Sequence, residues 1–223
     1  MTVATLIPVG QTVVALIAEG DRIAASLKSK GPFEPETLAK WANLCGSATA
    51  ARAIRCREAT VLDVGAYTGL FSIAARKLGC RVIAFEPMVF NRARFKANCV
   101  FNGVDDAVNS EAVSDACGEA VLHYNSIPFT AGASLERKTG SAQPVKTLTI
   151  DSLNLRSVAA IKIDVERAEP RVLAGARETL ARCRPALIVE VLGEDEGQAV
   201  LASVEDYEHV ATMDVRNWLM LAK

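Results

Sequence analysis

The chain has 223 residues, 50% of them hydrophobic and 23% charged, with a formal net charge of -1. That length and apolar content suit one compact globular domain with a sizeable core. The near-neutral balance excludes a broad basic face for nucleic acid, and no apolar run approaches the roughly 20 residues needed to span a bilayer.

The opening stretch, MTVATLIPVGQTVVALIAEGDR, has no basic start, and its first charge is Glu19. A secretory leader is therefore not expected, and a cytoplasmic location is. Residues 1–58 read as a helical cap or lid ahead of the main domain, 59–223. Val13, Val14, Ile17, Ala24 and Leu27 recur at helical spacing. GPFEPETLAKW reads as a loop entering a second helix, with Pro35 in its first turn and Leu38, Trp41 and Ala42 on one face. The apolar N-terminal face would pack on its own sheet or on a second subunit, which leaves a homodimer open.

From residue 60 strands and helices alternate. VLDVG is a short apolar strand, and TGLFSIAARKLG is a helix stopped by Gly79. RVIAFEP is a second strand, FNRARFKANCVFNG a helix ending at Asn102-Gly103, and a third strand lies near VNSEAVSD. GEAVLHYN and PVKTLTIDSL read as extra antiparallel strands around a Gly- and Ser-containing loop. IKIDVE is a buried strand, EPRVLAGARETLARC a helix, PALIVEVL a fifth core strand, and EHVATMDVRNWLMLAK a closing pair of strands. Such alternation predicts a doubly wound α/β fold with a mostly parallel sheet, one antiparallel edge, and a ligand crevice at the carboxyl ends of the strands.

The first such strand end holds Asp63, Gly65, Ala66, Tyr67, Thr68 and Gly69. A dinucleotide site uses G-x-G-x-x-G, whose second glycine lets the backbone approach a pyrophosphate. Here that place is Tyr67, which obstructs a phosphate but tolerates a ligand without one, such as S-adenosylmethionine. Asp63 would favour the cationic centres of that ligand. The N–H groups of Thr68 to Phe71, at a helix N-terminus, would favour its carboxylate. Glu86 lies 21 residues beyond Gly65, where a carboxylate accepts hydrogen bonds from ribose hydroxyls. NAD sites share that last feature, so an NAD-dependent oxidoreductase is one alternative. A non-catalytic S-adenosylmethionine-binding module is another.

Further along, alternation puts Lys162 and Asp164 on one face of a strand, with Asp164 near its carboxyl end. Glu166 and Glu169 precede a helix and would either stabilise its N-terminus or, for Glu166, serve as a base toward substrate. Asp164, Glu166 and, if the hairpin brings it over the crevice, His123 are the catalytic candidates. The six cysteines lack any C-x-x-C pair and read as thiols. His123 and His209 have no companion at ligand spacing, so no metal site is expected.

Together, VLDVGAYTG, VIAFEP, EAVSD with GEAVLHY, TLTIDSL and IKIDVERAEPRVLAGARETLARCRPALIVEV resemble the FkbM family of S-adenosylmethionine-dependent methyltransferases. The resemblance implies a class I, Rossmann-like methyltransferase fold with a mostly parallel seven-stranded sheet. It implies methyl transfer from S-adenosylmethionine, typically to a hydroxyl of a sugar or natural product; the near-neutral charge and the lack of a long apolar run argue for no nucleic-acid or membrane partner. Cofactor roles follow for Asp63, Gly65, Gly69, Glu86 and Asp164. Ala66, Tyr67, Thr68, Phe71, Pro87, Met88 and Ala112 are the neighbouring candidate contacts. Two positions depart from the family pattern: Tyr67 stands in place of Asn, and Arg167 in place of Gly. A residue other than glycine at the second position would be strained if the backbone there takes a positive φ. Arg167 would also pair with Glu166 or recruit an anionic substrate.

Overall fold

The computed structural model describes residues 4–10, 12–17, 33–50, 60–125, 132–138 and 140–223. The chain begins with an antiparallel hairpin, β1 (Ala4–Val9) and β2 (Thr12–Ile17), where the spacing predicts a helix. Apolar residues at 13, 14 and 17 share a helical face, but pairing with β1 makes the segment a strand, on which 13 and 14 point to opposite faces. Ile7, Val9, Val14 and Leu16 are buried while Leu6 and Val13 face out. Ala24 and Leu27, the rest of that expected helix, lie outside the described residues. The second expected helix is present as α1 (Pro35–Ala50).

A six-stranded sheet forms the centre. Its strands are β3 (Thr60–Val64), β4 (Arg81–Phe85), β8 (Val158–Ile163), β9 (Ala186–Glu190), β10 (Tyr207–Met213) and β11 (Asn217–Ala222). The order is β10-β11-β9-β8-β3-β4, with β4, β3, β8 and β9 parallel and β11 antiparallel to both neighbours. The seventh strand expected near residues 108–115 is reduced to a single parallel bridge, Phe85 to Asn109. The next residues leave the sheet. β5 (Ala112–Val113) pairs with β7 (Ser141–Leu148), which pairs with β6 (Gly118–Tyr124), giving a separate three-stranded sheet.

Helices cover both faces, so all five residues of β3 are buried. On one face, α1, α2 (Leu70–Lys77), α3 (Val89–Asn102) and the hairpin close a core that includes Trp41, Phe71, Ile73 and Phe95. Trp41 Nε1 donates to the Phe71 carbonyl at 3.0 Å, which satisfies its buried polar atom. The hairpin docks on the two helices: Asn102 bridges the Ala15 N–H and carbonyl, and Lys77 Nζ reaches the Val13 carbonyl. On the other face, α4 (Glu169–Ala174), α5 (Arg177–Cys183) and α6 (Glu194–Ser203) bury Leu62, Ile163, Val172, Leu187 and Val200.

The single helix expected over residues 169–183 is two. Gly175 approaches the β5 region so closely that a Cβ would lie 2.1 Å from the Ser114 carbonyl oxygen. Asp151 then caps the new start, accepting from the N–H groups of Glu178 and Thr179 at 3.0 and 2.8 Å. α6 had no counterpart among the expected elements. Cys45, Cys80, Cys99, Cys117 and Cys183 are free thiols, and only Cys117 is exposed. No helix among the described residues is long and apolar enough to cross a membrane.

Candidate active site

The carboxyl ends of β3, β4, β8 and β9 open into a cavity of about 840 Å³. Its floor is the turn after β3. Gly65 has φ 83°, and a Cβ there would sit 1.8 Å from the Asp164 carbonyl oxygen, so only glycine fits between the two strand ends. Gly69 has φ 97° and lies against the Phe95 ring, 2.9 Å from where a Cβ would stand.

One wall is built around Glu86, which follows β4 and is 5% exposed. Its Oε2 accepts from the Tyr67 N–H at 2.8 Å, and its Oε1 from the Met88 N–H and Asn91 Nδ2 at 2.9 and 3.1 Å. Burial pushes its carboxyl up to about 7, against the pull of those donors. Gly65, Ala66, Tyr67, Phe71, Pro87 and Ala112 line the same region. Tyr67 has φ 48°, a left-handed conformation that suits Asn better than an aromatic residue.

The opposite wall holds Asp164 and Glu166 together with two residues that motif reading had not named, Glu34 and Glu190. Lys162, 2% exposed, sends Nζ to Asp164 Oδ2 at 2.9 Å and lies 4.5 Å from the centre of the Phe71 ring. Burial opposes charge on both partners, but the contact holds Asp164 below the ordinary carboxylate range and Lys162 above the ordinary amine range. Arg216 spans Glu190 Oε1 (3.2 Å) and Glu34 Oε1 (3.6 Å). Burial, with Asp164 and Glu166 alongside, pushes Glu190 up to about 9. Glu190 ends a parallel core strand, the same placement that marks Asp164, and that signal would have found it. Glu34 has no local signal. It arrives because Asp214, in the β10–β11 turn, accepts from the Thr37 N–H at 2.8 Å and fixes the start of α1 beside the cavity.

Several expected contacts lie elsewhere. Asp63 is 1% exposed and off the cavity wall, with Ser72 Oγ donating to it at 2.6 Å; it acts on the site from beneath, through Lys162. Thr68, Gly69 and Met88 are likewise not on the wall. His123 is held by backbone pairing to Ser134, and its neighbour Leu122 is the β6 residue that reaches the cavity. Arg167 has φ 84°, so the strain expected of a side chain at that glycine position is present, but the residue is exposed and off the wall. Glu166 pairs instead with Arg137, at 3.9 Å. Glu169 is fully buried and structural: its Oε1 accepts from the Val165 N–H at 2.8 Å, and burial beside Glu196 raises it to about 9.

A doubly wound sheet whose strands end at one cavity is the architecture of α/β enzymes that bind ligands at the carboxyl ends of their strands. Residues 63–220 match the methyltransferase FkbM domain, and the chain belongs to that family of methyltransferases. It is 32% identical, over 63% of its length, to the AMB antimetabolite synthetase AmbE of Pseudomonas aeruginosa. It is 30% identical, over 53% of its length, to the 31-O-demethyl-FK506 methyltransferase FkbM of Streptomyces tacrolimicus. The matches span 9% and 59% of those two proteins. The O-methyltransferase from Bacillus cereus, in complex with SAH, shares the fold with a TM-score of 0.51 and 15% identity, over 90% of this chain and 86% of its own.

Proposed function

We propose that this methyltransferase uses S-adenosylmethionine and methylates a hydroxyl of an uncharged or cationic small molecule. The observation that carries the reading is Glu86: a buried carboxylate facing the cavity, its orientation fixed by three N–H donors, at the place where ribose hydroxyls are accepted. The charge of the cavity agrees. Among the described residues that line it, six are acidic (Glu34, Glu86, Asp164, Glu166, Glu190, Asp214) and two are basic (Lys162, Arg216). Burial pushes Glu190 up to about 9 and raises Glu34, so the remaining carboxylates carry the charge that favours a sulfonium, while Tyr67 obstructs the pyrophosphate of a dinucleotide sterically. The same charge disfavours the anionic substrate that Arg167 suggested.

When bound, S-adenosylmethionine supplies an electrophilic methyl group. The chain supplies alignment, which is worth about 7–11 kcal/mol when reacting atoms are held in line. Glu86, with the Tyr67 backbone, anchors the adenosine end. Phe71 and the Gly65 turn, whose close approach no larger residue permits, form the floor beneath the methionine portion. Asp164 and Glu166 face the acceptor, orient its hydroxyl and take its proton. Asp164 is held low by Lys162 and is the weaker base, so Glu166 is assigned the larger share.

The test is thermal unfolding with S-adenosylmethionine, S-adenosylhomocysteine and NAD. A ligand at 100 times its dissociation constant adds about 2.7 kcal/mol of stability, a midpoint rise of a few degrees. Both sulfur compounds are expected to give that rise, NAD none, and Glu86→Ala is expected to abolish it. A rise with NAD alone overturns the reading.

A further inference from the structure

Helix α3 inverts the usual arrangement of a surface helix. Its inward side is largely polar: Asn91, Asn98 and Asn102 are hydrogen-bonded to Glu86, to the Thr68 carbonyl and to the Ala15 backbone, with Phe95 and Cys99 buried among them. Its outward side carries Val89, Phe90, Ala93, Ala97, Val100 and Phe101, all exposed. The four large ones, Val89, Phe90, Val100 and Phe101, are 48%, 45%, 71% and 54% exposed. A solvated helix face is ordinarily polar, and an apolar stripe along a whole helix marks an interaction surface.

The order of residues along the stripe says what fits it. Val89 and Phe101 stand six positions either side of Phe95, Phe90 and Val100 five, and Ala93 and Ala97 two. At about 3.6 residues per turn, all six fall on the side away from Phe95. From either end the stripe therefore reads two large residues, two small, two large. A surface that matches its own reversed copy is what a two-fold axis requires. Set antiparallel on a second α3, Val89 and Phe90 meet the partner's Val100 and Phe101. The alanines then meet at the axis and let the helices come within the usual interaxial distance of about 8–10 Å.

The area is sufficient for a reversible association. Covering an aromatic side chain fully removes about 150–250 Å² from water, so the part-exposed stripe offers roughly 400–500 Å² per copy. The pair then buries about 1,000 Å², the lower bound for a specific interface. Leu6, 68% exposed, adds to this at the C-terminal end of the helix, because it pairs across the hairpin with Ala15, whose backbone Asn102 bridges.

We infer that the outward face of α3 is a homodimer interface, formed by antiparallel pairing with the α3 of a second copy. Arg94 and Lys96 flank the stripe and the helix carries no acidic side chain, so like charges oppose along the flanks and weaken the pair at low salt. The inference stands apart from the methyl-transfer reading, because none of the six residues lines the cavity.

Sedimentation equilibrium of the full chain tests it. A reversible dimer is expected, with a dissociation constant of about 1–100 µM that tightens as salt is raised. Val100→Glu places a charge in the apolar seam and is expected to weaken the dimer about tenfold or more, while Val210→Glu, exposed on the opposite edge strand, leaves it unchanged. Adding Val89→Lys to Val100→Glu is expected to restore association, because antiparallel pairing sets each introduced lysine against the introduced glutamate of the other copy. Circular dichroism melting shows that each variant is folded. A monomer at every concentration overturns the inference. So does a dimer that Val100→Glu does not weaken, or that the added lysine does not restore. A monomer that sediments with phosphatidylserine vesicles also overturns it and assigns the face to an anionic lipid surface. A monomer that melts several degrees lower with Phe101→Glu overturns it too, and assigns the face to cover from its own chain.

Discussion

Glu86 and Glu190 follow or end parallel strands of one sheet, both are nearly fully buried, and both face the same cavity. Their surroundings differ in kind. Glu86 sits among neutral N–H donors, which leave it suited to accept further hydrogen bonds from uncharged hydroxyls. Glu190 sits among other carboxylates and two committed cations. On the proposed reading, the Glu86 end accepts a hydroxylated ligand by hydrogen bonding, while the Glu190 end is dominated by charge. The same residue type at equivalent strand ends takes on two tasks because its neighbours differ.

Removing the buried cation breaks this comparison most severely. Lys162→Met leaves Asp164 and Asp63 without their nearest positive charge, and loss of one partner of a buried pair costs about 3–5 kcal/mol. Urea denaturation measures it, and a loss below about 1 kcal/mol would show that the carboxylates are already neutral. Next in size, Glu86→Ala removes charge-assisted hydrogen bonds at the other end. About 2–4 kcal/mol of S-adenosylmethionine affinity is expected to disappear in calorimetric titration.

The two ends also separate by pH. Glu86 titrates near 7 in the folded chain and near 4.5 unfolded. The folded state therefore keeps a proton that the unfolded state has released, so this group's contribution to the stability of the unliganded protein falls between about pH 4.5 and 7 and is flat above. Cofactor affinity has the opposite slope, because ribose hydroxyls need the carboxylate as acceptor. It is expected to rise up to tenfold per unit toward pH 7 and then level off, and Glu86→Gln is expected to flatten the profile.

Smaller effects sharpen the picture of how each wall is supported. Asp214→Ala removes the acceptor at the start of α1 and is expected to cost about 0.5–2 kcal/mol of stability, loosening Glu34 beside Arg216. A cofactor affinity that falls in step would contradict the separation of the two ends. Arg167→Gly and Tyr67→Asn relieve left-handed backbone at φ 84° and 48°. Each is expected to stabilise by up to about 1 kcal/mol in thermal melts.

Much of this was legible in the residues. Strand–helix alternation gave the doubly wound sheet, and apolar runs such as VLDV and IKI gave its buried strands. The positions of Gly65, Glu86 and Asp164 relative to strand ends put them at one cavity before any geometry was known. The N-terminal hairpin was misread as helix because Val13, Val14 and Ile17 fall on one helical face, and only pairing with Ala4–Val9 selects the strand. The helix after Glu169 divides at Gly175 because a neighbouring carbonyl passes there, a contact no local pattern encodes. His123 was a candidate by residue type, and Asp63 by its place at the end of the strand before the glycine turn. Strand pairing holds the first away from the cavity, and burial beneath Lys162 hides the second.

The sequence by itself determined the family, the class of fold and the placing of Gly65 and Glu86 at one cavity, because those depend on short contiguous segments whose spacing is fixed by strand and turn geometry. Tertiary structure alone decided the acidic end. Glu34, Asp164, Glu190 and Arg216 are separated by up to 182 positions along the chain, and their charges interact only because the sheet order sets β9 beside β8 and Asp214 ties α1 to the β10–β11 turn. Electrostatics depends on distance in space, and that distance was not available until the chain had folded.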